Sequence, residues 1–199
     1  MFHLRSHILL LTSTLLLTPL AGCSSADATD DPSTPEGVAS DSEALKSFPP
    51  LPSRDLAVPE GNRLAFYFDA LGVQIYSCQP SAGGHAWTFV APEASLFDAR
   101  GKLVVKHFGG PTWQSVANGS KVVATKIAEF TDDPASIPEL LLQASSHEGK
   151  GIMSDVTYIQ RLETVGGIAP TSSCDAGNTG ATARVPYSST YFFYRKACD

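Results

Sequence analysis

From Phe48 to Asp199 the chain is cut by glycine, proline and Asn-Gly punctuation into short runs rich in aromatic and β-branched residues. That pattern admits a mainly β fold and little else. Leu64–Phe68 and Val73–Cys78 read as strands around an Ala-Leu-Gly turn, and Ala86–Val90 reads as a strand ended by Pro92. Asp98–Gly101 is a turn leading into Leu103–Phe108. Asn118-Gly119 marks a hairpin between Thr112–Val116 and Lys121–Phe130. Val156–Leu162 and Tyr187–Arg195 complete the set. One helix is expected: Ser136 caps it, Glu139 stands at the capping-box position, and Leu140–Leu142 follow. The expected domain is an antiparallel sandwich or barrel with this one short helix at an end.

The N-terminus reads as an export and anchoring device. Arg5 precedes the apolar run Ile8–Leu17, which at about ten residues is half of what a membrane-spanning helix needs. Leu20-Ala-Gly-Cys23 matches the lipobox of bacterial lipoproteins. It implies cleavage after Gly22, lipidation of Cys23 and attachment to a bilayer. Ser24 at the next position points to the outer membrane. Residues 24–47 carry Asp27, Asp30, Asp31, Glu36, Asp41 and Glu43 against the single base Lys46, with scarcely a large apolar side chain. Such a segment reads as a disordered acidic tether. The domain plan is therefore a signal peptide over 1–22, a lipidated tether over 23–47 and a single β-rich domain over 48–199.

Charge within residues 48–199 is nearly balanced, with no basic stripe to meet phosphates, which argues against nucleic acid. No nucleophile elbow, His-Glu-x-x-His, Cys-x-x-Cys, P-loop or dinucleotide fingerprint is present. No metal site and no cofactor are expected. Cys78, Cys174 and Cys198 lie too far apart in sequence for a zinc site, and an oxidising compartment lets any two of them bridge. The candidate binding residues are His107, Trp113, Glu93 and Arg161. His107 and Trp113 flank a Gly-Gly-Pro turn, a rigid bend suited to lining a pocket. Period-2 alternation puts Leu103, Val105 and His107 on one strand face, so His107 also fits a core-edge histidine bonded to a carbonyl. Trp113 fits a core side chain, Glu93 a turn cap beside Pro92, and Arg161 a snorkelling or paired base. The reading expects Trp113→Ala to be strongly destabilising and His107→Ala mildly so.

Several of these segments fall in a shared order. They are Gly72–Cys78, Ala91–Ala94, Asp98–Gly101, His107–Trp113, Ile137–Leu142, Tyr158–Leu162, Gly166–Pro170, Cys174-Asp175 and Val185–Tyr187. Over about Leu56–Arg195 the chain resembles the family catalogued as domain of unknown function 3455, secreted proteins of bacteria and fungi. Glu139 departs from the tryptophan expected after Ile137-Pro138. The resemblance implies that Cys78 pairs with Cys174, since both belong to shared motifs and Cys198 does not. It implies no activity. A malate dehydrogenase label carried by some fungal members finds no dinucleotide fingerprint here. The functional expectation is a non-catalytic envelope module for a small molecule, a glycan or a protein partner. The alternative is a hydrolase-like or metal-assisted enzyme using His107 and a carboxylate.

Overall fold

The computed structural model describes residues 51–171 and 173–197. The expected signal peptide, lipidation at Cys23, the expected acidic tether and Cys198 lie outside the described residues. Among the described residues eight strands follow one another up and down: β1 (Asn62–Ser81), β2 (Gly84–Phe97), β3 (Leu103–Phe108), β4 (Thr112–Ser115), β5 (Lys121–Phe130), β6 (Glu139–Glu148), β7 (Val156–Gly166) and β8 (Thr182–Lys196). Each pairs antiparallel with the next, and β1 pairs with β8 from Asn62↔Lys196 to Ser77↔Thr182. The sheet is a closed barrel. Closure leaves no row of unpaired backbone groups along an edge.

Three details depart from the sequence expectation. First, Ala70-Leu71-Gly72 is not a turn, because β1 runs unbroken through it. A Cβ on Gly72 would stand 2.3 Å from the Glu93 carbonyl oxygen. The glycine is there because the β1 and β2 backbones crowd, not because the chain reverses. Second, Pro92 does not end β2. It pairs with Gln74, and the strand passes it with Val90 as the extra residue between Ala91↔Ile75 and Phe89↔Tyr76. Third, the expected helix is strand β6. Ser136 accepts from the Gly166 amide instead of capping a helix, and Glu139 accepts from the Thr164 amide at 3.0 Å. The apolar run that suggested a helix is buried on both faces. Leu140 and Leu142 face the barrel interior, while Leu141 packs outward with Leu56, Leu162, Phe192 and Tyr194. A doubly buried strand loses its period-2 signature.

The outer cover of that face is the segment before β1. A 3-10 turn at Arg54–Leu56, capped by Ser53, drives Leu56 under the outer side chains of β6–β8. Gln160 is buried there. Its Nε2 donates to the Leu56 carbonyl at 2.5 Å, and its Oε1 accepts from the Tyr194 hydroxyl at 2.6 Å. The Cys78–Cys174 disulfide ties the upper part of β1 to the β7–β8 connection across a sequence separation of 96. A loop of that size is worth roughly 4–5 kcal/mol in the chain-entropy view. The bridge agrees with the pairing that the family resemblance implied.

Inside, the two ends of the barrel differ. Phe66, Leu96, Val105, Met153, Val156 and Phe193 fill one end, with Phe66 stacked on Phe193 at 5.0 Å. The up-and-down order sends the β1–β2, β3–β4, β5–β6 and β7–β8 connections to the opposite end. That end is not filled. Leu56→Ala is expected to lower unfolding free energy by about 2–5 kcal/mol, the range for deleting a fully buried leucine. Urea unfolding checks this, and a change under about 0.5 kcal/mol would show that the cover adds nothing to the barrel.

Candidate functional site

The unfilled end is a cavity of about 500 Å3 that reaches from the connections down to Trp113 and Tyr191. Its wall is mostly apolar: Phe89 and Val90 at the rim, Ile137, Leu140 and Leu142 from the β6 side, and Trp113 at depth. The polar groups lining it are few, namely Gln74 and Tyr76 on β1, His107 on β3, Arg161 on β7 and Tyr191 on β8, with Lys126 and Glu129 of β5 at the rim. Each is placed by alternation. On β1, Ala70, Gln74, Tyr76 and Cys78 are buried in an even-numbered series. On β3 and β4 the register His107↔Trp113 across Gly109-Gly110-Pro111 turns both rings inward side by side.

His107 is 3% exposed and Trp113 1%. Their rings stack with centroids 4.3 Å apart and planes 13° from parallel, and Tyr191 stands tilted against both. His107 Nδ1 lies 2.9 Å from the Thr112 carbonyl oxygen. A carbonyl only accepts, so the ring proton is on Nδ1 and Nε2 holds the lone pair. Burial, reinforced by the Arg161 cation and opposed by the Thr112 bond, pushes the imidazole down to about 3. It is neutral at physiological pH. Tyr76 donates to the Gly167 carbonyl at 2.6 Å, and burial raises its pKa. Gly167 holds φ +81°, and a Cβ there would press on Tyr187, Ile137 and Gln74 at 3.0–3.2 Å. Glycine is therefore needed where the end of β7 folds over the cavity wall.

Arg161 is 8% exposed. One guanidinium nitrogen donates to the Pro138 carbonyl at 2.7 Å, while its buried Nε has no acceptor. No carboxylate stands within 4.0 Å of it among the described residues. Glu139 sits next to its register partner Leu140 on β6 but points to the other face of the sheet. There Oε1 accepts from the Thr164 amide and hydroxyl, and burial raises the pKa of this carboxyl.

The structure thus brings His107, Trp113 and Arg161 to one cavity. Glu93 does not join them. It lies on the outer face, exposed, bound to Arg184 at 2.9 Å. The pairing of His107 with Glu93 that an acid–base site would use is absent, and His107 has its Nδ1 committed to the backbone. Among the described residues no cluster of three or more His, Cys, Asp or Glu side chains could hold a metal ion. Sequence reasoning missed Gln74, Tyr76 and Tyr191. The misread turn at Ala70–Gly72 broke the period that would have put Gln74 on the same buried face as Ala70 and Cys78.

The family model for Protein of unknown function (DUF3455) matches residues 59–195. The chain belongs to that family. In this DUF3455 member the match takes in all of β1–β7 and all of β8 but Lys196, and therefore every cavity residue named above. No curated protein and no solved structure matches the chain.

Burial of His107 revises the expectation that its removal is mild. Trp113→Ala is expected to cost about 3–5 kcal/mol. His107→Ala removes a stacked ring and leaves the Thr112 carbonyl unsatisfied, so a cost of about 1–3 kcal/mol is expected on the hydrogen bond alone. The unfolded imidazole takes up its proton near 6.5 and the folded one only at about 3. The unfolded chain therefore binds more protons between those values. Stability is complete above that window and falls as pH drops through it, by up to about 1.4 kcal/mol per unit. The His107 Cε1–H proton resonance should stay flat from pH 8 to 5. A midpoint near 6.5 would contradict the buried, neutral ring.

Proposed function

We propose that this chain is a non-catalytic binding module that takes a small molecule into the open end of its barrel and is held at the cell envelope by lipid on Cys23. The observation that carries the reading is the cavity itself. An eight-stranded barrel has an interior just wide enough either to be filled by side chains or to hold one small ligand. Here one end is filled and the other is not. The open end has the composition of a ligand pocket, a predominantly apolar and aromatic wall with a few convergent polar groups. A glycan would call for a more polar wall than Phe89, Val90, Ile137, Leu140 and Leu142 supply. A protein partner would call for a broad contact face in place of a concave one. A lipid-anchored module with such a cup would present it from the bilayer surface.

Native mass spectrometry of the full chain tests the binding role. Leu140→Trp, which fills the cavity from its wall, should abolish the retained ligand or added apolar probe while far-ultraviolet circular dichroism stays that of the barrel. Equal occupancy in the variant would sink the cavity as the site. For the anchor, Cys23→Ser should abolish metabolic labelling by a palmitate analogue and free the protein from the membrane fraction. Labelling that persists in the variant would end the lipid-anchor reading.

A further inference from the structure

We infer that the ligand is an organic monocarboxylate with an apolar body, bound carboxylate-inward on Arg161 and Gln74. This rests on the reading of the cavity as the ligand site and goes further by naming the chemistry that fills it. Among the described residues, three side chains that line the cavity keep a buried donor without an acceptor: Nε of Arg161, Nε2 of Gln74 on a side chain 3% exposed, and the indole Nε1 of Trp113. No carboxylate lies within 4.0 Å of Arg161 among the described residues, and a buried cation without a paired carboxylate is costly, as is a buried amide hydrogen without a partner. An apolar side chain at position 161, such as the leucines at the neighbouring interior positions 140 and 142, would give up the bond to the Pro138 carbonyl and remove the cost of burying the charge. The cost is removed when an acceptor with negative charge and two oxygens enters, and a carboxylate meets the planar guanidinium edge in just that way.

The charge count fixes the class. Among the described residues Arg161 and Lys126 are the cations lining the cavity. Lys126 at the rim is bound to Glu129. His107 is neutral and presents a lone pair at Nε2. One positive charge balances a monoanion and leaves a phosphate monoester dianion undercompensated. The rest of the wall is largely apolar, with Leu140, Ile137, Phe89 and Val90 beside Arg161 and Gln74, which suits an alkyl or aryl body.

Calorimetry on the full chain tests this with octanoate and 3-phenylpropionate, the corresponding amides, and octyl phosphate. The expected result is that at least one carboxylate binds, at least tenfold more tightly than its own amide. Arg161→Met, which keeps the stem and removes the charge, should erase that preference, weakening the carboxylate at least tenfold and leaving the amide unchanged. The ligand-free variant should melt no lower than the parent, because removal of an unpaired buried charge offsets the lost bond to the Pro138 carbonyl. Three results would overturn the inference while leaving the cavity as a ligand site: amides binding as tightly as acids, octyl phosphate binding more tightly than octanoate, or Arg161→Met leaving carboxylate affinity unchanged. A melting temperature lowered by several degrees in Arg161→Met would make Arg161 a structural residue and overturn it as well. Absence of any binding, together with no ligand retained in native mass spectra, would overturn both this inference and the cavity reading.

Discussion

The pairing of the first strand with the last holds the rest of the structure in place. β1 and β8 run side by side from Asn62↔Lys196 to Ser77↔Thr182, and nothing local in sequence favours their meeting. Long-range pairing costs loop-closure entropy before it returns contacts. Three features offset that cost. The disulfide joins Cys78, near the upper end of β1, to Cys174 just before β8. Aromatic pairs line both faces of the seam, Phe66 with Phe193 inside and Tyr67 with Phe192 outside. The Leu56 cover then buries the outer side chains of β8 that would otherwise meet water. Without the seam the sheet would have two edges and no interior, and the cavity would not exist.

Closure also explains why one end is packed and the other open. Strands β3 and β4 are the shortest, 6 and 4 residues, whereas β1 has 20 and β8 has 15. The long strands carry the wall beyond the point where β3 and β4 turn back at Gly109-Gly110-Pro111. Trp113 and His107 sit just below that low turn and close the filled portion of the barrel. The rings that look like site residues in the sequence therefore form the floor of the cup. Arg161, across the interior on β7, is the charged group of the cavity wall whose Nε the packing leaves without an acceptor among the described residues.

Strand positions were largely legible because aromatic and β-branched runs and turn residues survive in the sequence. Asn118-Gly119 marked the β4–β5 hairpin, and the Val156 and Tyr187 runs lie within β7 and β8. The failures share a physical cause. Leu140–Leu142 read as a helix because β6 is buried on both faces, so alternation vanished while Ser136 and Glu139 imitated a cap. Gly72 and Pro92 read as breaks because those residue types usually break strands, whereas here they serve a close approach and a bulged edge. The site was legible residue by residue for His107, Trp113 and Arg161 but not as a site, because their meeting depends on the closure of the barrel. Glu93 was misplaced for the same reason. On the far side of Pro92 it faces outward, and only the register of β1 with β2 reveals this.

The central claim is that the open end of the barrel is a ligand cup with its carboxylate anchor at depth. The most direct measurement is intermolecular nuclear Overhauser contacts between isotope-labelled full chain and 3-phenylpropionate. The account predicts contacts from the probe to the Trp113 ring and the Leu140 and Leu142 methyl groups, with the Arg161 Nε–H resonance shifting on binding. Contacts confined to outer-face side chains such as Leu71, Phe108 and Val165, with Arg161 unmoved, would contradict it.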